Sequence, residues 1–350
     1  EMRIEDLIPN EEVVVTISHA GYIKRTSLNE YKVQNRGGVG SRGSKTRDKD
    51  FLEDLFVASN QNYLLSFSEK GKCFCMRIFE IPEGNKNSKG RAIQNLINID
   101  QDDKIKAYIN TQDLKDEDYI NNNFIVMCTK KGVVKKTSLE AYSRPRQNGI
   151  NAITIREGDE LLEAKLTNGS HQIMIALRSG KAIRFNEEHV RPMGRTASGV
   201  KGVTLAGPKD EVVGMVCVES DDSNIMVVSE KGYGKRSEVD DYRITNRGGK
   251  GVKTINLTDK TGSLIAIKNV TDDDDLMIIT KKGIIIRMHV EEMRVMGRAT
   301  QGVRLINLKN SDEIAAVAKV VKSDEDDDMI EGEEGTADNG TDVEGSNNEE

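Results

Sequence analysis

Short apolar runs recur along the chain at 13–17, 63–67, 124–128, 173–177, 225–228 and 276–279. Each is four or five residues long and often β-branched, and each is continuous rather than alternating. Such runs are too short for helices and predict strands covered on both faces. Each ends in a turn that closes on glycine: Gly21, Gly71, Gly132, Gly180, Gly232 and Gly283. A second strand carrying a basic residue follows, so every unit opens with a tight hairpin that needs positive φ at its glycine. Successive turn glycines lie 50, 61, 48, 52 and 51 residues apart. A unit of this size cannot bury its own faces, so repetition at this period predicts blades packed side by side in a ring.

A second glycine follows each turn glycine: Gly40, Gly90, Gly149, Gly199, Gly251 and Gly302. The interval is 19 residues, shortened to 17 in the third unit. Between the two lies a polar stretch with helix-start character, such as Ser27 with Glu30, and it predicts one or two helical turns or a loop. The long third unit carries an insertion at 113–123, expected to be a surface loop. The domain organisation expected is a leading segment over 1–11, a six-bladed all-β disc over 12–322 and a disordered acidic tail over 323–350. Because the chain begins at Glu1, it is expected to be part of a longer protein.

Charge changes the picture. The formal net charge is −7, but thirteen of the 58 acidic residues lie beyond Lys322, where Lys and Arg are absent. Residues 1–322 therefore hold 45 acidic against 51 basic residues, a net of +6. A basic body with an acidic tail points to a nucleic-acid surface and a tail able to compete for it.

The cations keep register with the glycines. Four residues after the turn glycine stand Arg25, Lys136, Arg184, Arg236 and Arg287; the second unit has Cys75 there, with Arg77 following. Four residues before the second glycine stand Arg36, Lys86, Arg195, Arg247 and Arg298; the third unit has Pro145, flanked by Arg144 and Arg146. Just after the second glycine come Arg42, Arg91, Lys201, Lys253 and Arg304. A single Lys or Arg is ordinarily a solvated surface charge. A charge repeated once per blade is expected to form a basic rim that tracks a phosphate backbone.

Other chemistry is not supported. The glycine pairs at 194–199 and 297–302 lack the lysine of a phosphate-binding loop, since Val200 and Val303 follow them. His19, His171, His189 and His289 are scattered, and the acidic run at 272–275 lacks the spacing of a calcium loop and reads as a solvated turn. Cys73 and Cys75 share one strand face, but Cys128 and Cys217 supply no second ligand pair, so all four read as small buried hydrophobes. No catalytic residue, metal or cofactor is expected, and no apolar run reaches membrane-spanning length.

The segment Gln34, Asn35, Arg36, Gly37, Gly38, Val39, Gly40 resembles the GyrA box, the signature Q-(R/K)-R-G-G-(R/K)-G of bacterial DNA gyrase A subunits, at five of seven positions. A related copy at 245–251 includes Arg247 and Lys250. The resemblance extends over residues 5–322. It implies a six-bladed β-pinwheel, with strands exchanged between blades, that wraps duplex DNA on its rim for ATP-dependent negative supercoiling. It further implies a bacterial, cytoplasmic, nucleoid-associated protein that works with the catalytic N-terminal region of the same gyrase polypeptide and with the gyrase B subunit. The cleaving tyrosine and the ATP and Mg sites would then lie outside this chain. Asn35 and Val39 replace two cations of the box, and Arg42, Lys45 and Arg47 just downstream are expected to compensate. The rival readings are the C-terminal domain of topoisomerase IV, which usually has fewer blades and no recognisable box, and a protein-binding propeller of WD or kelch type. Absence of Trp and the periodic cations speak against the latter.

Overall fold

The computed structural model describes residues 2–28, 50–85 and 87–321; the box at 34–40, Arg42, Lys45, Arg47, Lys86 and the tail lie outside them. Each predicted apolar run is a strand paired antiparallel with the strand beyond its turn glycine. Examples are Phe124–Thr129 with Val133–Ser138 and Gln172–Leu177 with Lys181–Asn186. The turn glycines take positive φ, +92° at Gly71 for example, as the hairpin geometry requires. On its other side, each first strand pairs with a longer strand from later in the same repeat, such as Leu161–Thr167 or Val212–Val218.

The fourth strand comes from the following repeat. Arg91–Ala92 completes the first sheet and Ile150–Asn151 the second. Val200–Lys201, Val252–Lys253 and Val303–Arg304 complete the third, fourth and fifth. The second glycine introduces this exchanged strand, because the two backbones meet closely there. A Cβ at Gly199 would stand 2.6 Å from Val134 O. In the sixth sheet three strands fall among the described residues: Asp274–Thr280, Ile285–His289 and Ile314–Val321.

Strand alternation explains the continuous apolar runs. In Phe124–Thr129, Ile125 and Met127 join the core shared with the second blade, while Val126 and Cys128 join the core shared with the fourth. Such clusters fill every seam, and Phe51 with Met277, Ala318 and Val320 closes the ring between the sixth blade and the first. The longer strands touch one another around the centre and line a channel with a cavity of about 610 Å³, so the exchanged strands form the outer edge. Asp54 stands on the channel wall, where burial, helped by Glu53, pushes its carboxyl up to about 6.

In the second to sixth repeats the polar stretch begins with a single 3-10 turn, within the one or two helical turns expected, as at Leu139–Tyr142, where Ser138 Oγ accepts from Glu140 N. Two expectations are corrected. The insertion at 113–123 is not a plain loop. It carries the α-helix Glu117–Asn122, capped by the Asp116 side chain and anchored by buried Ile120. Nor is 272–275 all solvated turn: Asp275 is fully buried at the start of a strand and holds Arg287 and His289.

Candidate nucleic-acid interface

The three registers of cations have three different fates. Of the residues four after the turn glycine, all but Arg287 point into the seams between blades. Lys136 is 4% exposed and lies 3.4 Å from Glu187, which is fully buried. Arg184, 5% exposed, donates to Gln172 Oε1 and to Val239 and Tyr242 O. Arg236 donates to Met293 O and pairs with Asp272. Arg25 donates from Nε to Ile81 O, and Arg287 to Asp275. The acceptor carbonyls come largely from the 3-10 turn of the next repeat. Arg25, Lys136, Arg184 and Arg236 therefore latch neighbouring blades, while half-buried Arg287 is held within the sixth sheet by Asp275, and the expected place of this register on the rim is corrected. An ion held in a seam without these partners would cost several kcal/mol in desolvation, which is why each is so fully bonded. Arg77 is engaged likewise, with Glu5 at 2.7 Å and Gln61 O.

The residues four before the second glycine act as straps between successive loops. Arg195 donates to Asn151 O, Arg247 to Lys201 O, and Arg298 to Lys253 O. Each acceptor is the residue two after the second glycine of the preceding repeat, so the loops of the third to sixth repeats are chained along the edge. Arg195, Arg247 and Arg298 are all half-buried. Arg144 and Arg146, which flank the proline of the third repeat, are exposed; Arg144 pairs with Glu140 at 2.8 Å.

The third register is exposed. Arg91, Lys201, Lys253 and Arg304 sit on the exchanged strands, the outermost of their sheets. Arg304 also donates to Tyr233 Oη and lies 5.4 Å from that ring. Beside them is a set that none of the three registers captures. Arg191, Arg243 and Arg294 are exposed and lie eleven residues after their turn glycines. That recurrence is legible in the sequence once the turn glycines are aligned.

The box-like loop at 245–251 is docked through its backbone. Gly248 N donates to Gly202 O, and Thr204 N donates to Gly249 O, both at 2.9 Å. Gly251, with φ +77°, would place a Cβ 2.6 Å from Ala182 O. Lys250 is left exposed between them. Among the described residues no group of His, Cys, Asp and Glu is arranged to hold a metal, and the four cysteines are unpaired. Burial pushes the Cys75 and Cys217 thiols up to about 12, away from reactivity.

Fold and surface together define a strand-exchanged β-propeller with exposed positive side chains repeated along its outer edge. The model of the DNA gyrase C-terminal domain, beta-propeller, family matches residues 12–59, 62–107, 123–168, 173–219, 223–271 and 274–320, one segment per blade, and the chain belongs to that family. The DNA gyrase A protein of Staphylococcus aureus strain NCTC 8325 is 44% identical over 338 residues, 96% of this chain. The chain spans 37% of that relative's length. Among solved structures, the C-terminal domain of DNA topoisomerase IV matches with a TM-score of 0.77 and 26% identity, covering 90% of this chain and 94% of that one. A DNA gyrase A C-terminal domain matches with a TM-score of 0.66 and 25% identity, covering 89% and 100%.

Proposed function

We propose that the chain binds duplex DNA without sequence preference along its outer edge, bends it, and wraps it with one handedness. It would thereby present DNA to the catalytic parts of a gyrase: the N-terminal region of the gyrase A protein and the gyrase B protein, where ATP and Mg act. The observation that carries this reading is the recurrence of exposed cations on the outermost strands, at Arg91, Lys201, Lys253 and Arg304, joined by Arg191, Arg243 and Arg294. Bending a 20–30 bp site by 40–90° costs on the order of 1–6 kcal/mol, which calls for many distributed phosphate contacts rather than one pocket. With the seam-bound register removed from the contact set, these exposed residues, Lys250, Arg144, Arg146, the three straps, and the cations of the box segment (Arg36, Arg42, Lys45, Arg47) and Lys86 remain as the proposed rim.

The likeness to a topoisomerase IV domain supports a second reading, in which the surface senses DNA geometry without wrapping it. Ligation of a nicked circle in the presence of the chain separates the two. Wrapping shifts the topoisomers towards positive writhe, whereas an unshifted distribution with DNA bound removes the wrapping reading.

A further inference from the structure

Three lysines are buried where three equivalent positions are apolar. Three residues after the turn glycine stand Lys24, Lys135 and Lys235 in the first, third and fifth repeats, and Phe74, Ile183 and Ile286 in the second, fourth and sixth. The lysines are 3%, 0% and 1% exposed. A buried ammonium is tolerated only with its N–H groups satisfied. Here the acceptors are loop carbonyls, all from the next repeat for Lys24 and Lys235; Lys135 takes one from the next repeat and one, Ala152 O, from its own. Lys235 Nζ donates to Gly297 O at 2.7 Å, to Thr300 O at 2.8 Å and to Arg298 O. Lys24 Nζ donates to Asn85 O at 3.0 Å and Ser88 O at 2.6 Å, and Lys135 Nζ to Ala152 and Arg195 O. These carbonyls belong to loops whose backbone has no strand partner there, so the ammonium supplies the donors that a sheet would have supplied.

The intervening loops are built differently. A methyl group at Gly249 would lie 3.6 Å from Ile183 Cδ1, and one at Gly149 2.8 Å from Phe74 Cε1. Glycine-rich backbone therefore rests directly on an apolar side chain, with no cation beneath. Burial, then the nearby Arg195, pushes Lys135 down to about 7. Burial and Arg298, against Asp241, bring Lys235 to about 8.

We propose that Lys24, Lys135 and Lys235 are positioning residues for DNA binding, each holding one or more backbone carbonyls of the next repeat's rim loop and so fixing the exposed cations that flank it. The flanking cations are Lys89 and Arg91, Arg191 and Lys201, and Arg294 and Arg304. Alternate loops are thus pre-organised by a charge underneath, while the two intervening loops among the described residues are seated on Phe74 and Ile183. The inference rests on the DNA-binding reading above.

The test uses the 350-residue chain with Lys235→Met and Lys235→Gln, read by hydrogen exchange and by binding to a linear duplex across salt concentrations. In Lys235→Met, amides over 294–304 are expected to exchange at least about tenfold faster while strand Asn224–Ser229 keeps its protection. The slope of log affinity against log salt is expected to fall by about 1.8, the share of two phosphate contacts. Lys235→Gln, which keeps donors without the charge, restores part of both. Unchanged exchange over 294–304 overturns the proposal. So does faster exchange with an unchanged slope while Arg294→Ala with Arg304→Ala lowers it. If that pair also leaves the slope unchanged, the DNA-binding reading fails, and loop exchange alone decides the role of the lysine. Should Lys235→Met lose the protection of Asn224–Ser229 as well, Lys24→Met, read over 84–91, decides by the same criteria.

Discussion

Replacing Lys201, Lys253 and Arg304 together by alanine removes three exposed cations from the outer strands of three neighbouring sheets. Their main chains carry the strand pairing and their side chains are exposed, with only Arg304 touching a neighbouring ring, that of Tyr233, so stability should stay within about 0.5 kcal/mol per site. Each phosphate contact contributes about 0.9 to the slope of log affinity against log salt, so the triple variant should show a slope shallower by about 2.7. Between about 50 and 200 mM salt, that difference makes the unaltered chain lose about 40-fold more affinity than the variant. Anisotropy titrations of a labelled linear duplex, repeated across that range, read the slope directly. A parallel arm applies Arg184→Gln, which neutralises a cation 5% exposed and bonded to two carbonyls of the next blade. While that variant is folded, its slope should match the unaltered chain. A triple variant with an unchanged slope, or an Arg184→Gln slope that falls like a rim residue's, refutes the division into seam and rim cations.

Three further outcomes are expected. Lys136→Met strands the Glu187 carboxylate, fully buried at 3.4 Å from the lost ammonium, and should cost about 3–5 kcal/mol in urea unfolding. Gly71→Ala forces a Cβ to within 2.5 Å of Ile153 O at φ +92° and should lower stability by more than about 1 kcal/mol, whereas Gly194→Ala, with open space around it, should be nearly silent by the same thermal melts. Asp54 holds its proton more tightly folded than unfolded, with its carboxyl up at about 6 against an ordinary 3.8. Its contribution is thus fully present below about pH 4 and lost as pH rises through about 6. Asp54→Asn should flatten that part of the melting-temperature profile and raise stability at about pH 7.

The glycine frame makes the blades legible: a turn glycine and a second glycine 19 residues on, 17 in the third, mark the two backbone crossings of a blade, and both follow from local sterics. The cations are harder to place. Lys136, Arg184 and Arg236 recur as regularly as any rim residue, yet they sit inside strands whose neighbours are buried on both faces, as Val133, Val134 and Thr137 are around Lys136. A charge within such a strand has no route to water and must meet a partner in the seam. Periodicity reports the position within a blade, not the direction of the side chain. The capped helix at 117–122 is signalled by Asp116 followed by Glu117 and Asp118, but its buried anchor, Ile120, has meaning only against the third blade's seam. Arg191, Arg243 and Arg294 escape the strand pattern because they fall in the polar stretch, where neither glycine sets the direction of a side chain.

The exchanged strands also shape how the polypeptide must assemble. Tyr22 finds its outer neighbour at Ala92, and Tyr233 finds its own at Arg304, each some seventy residues later. At about 5–20 residues per second of synthesis, a new blade waits several seconds for the segment that seals it. Throughout that interval its outer edge offers unpaired amides and carbonyls to any passing strand. Maturation is therefore a relay in which each repeat finishes the one before it.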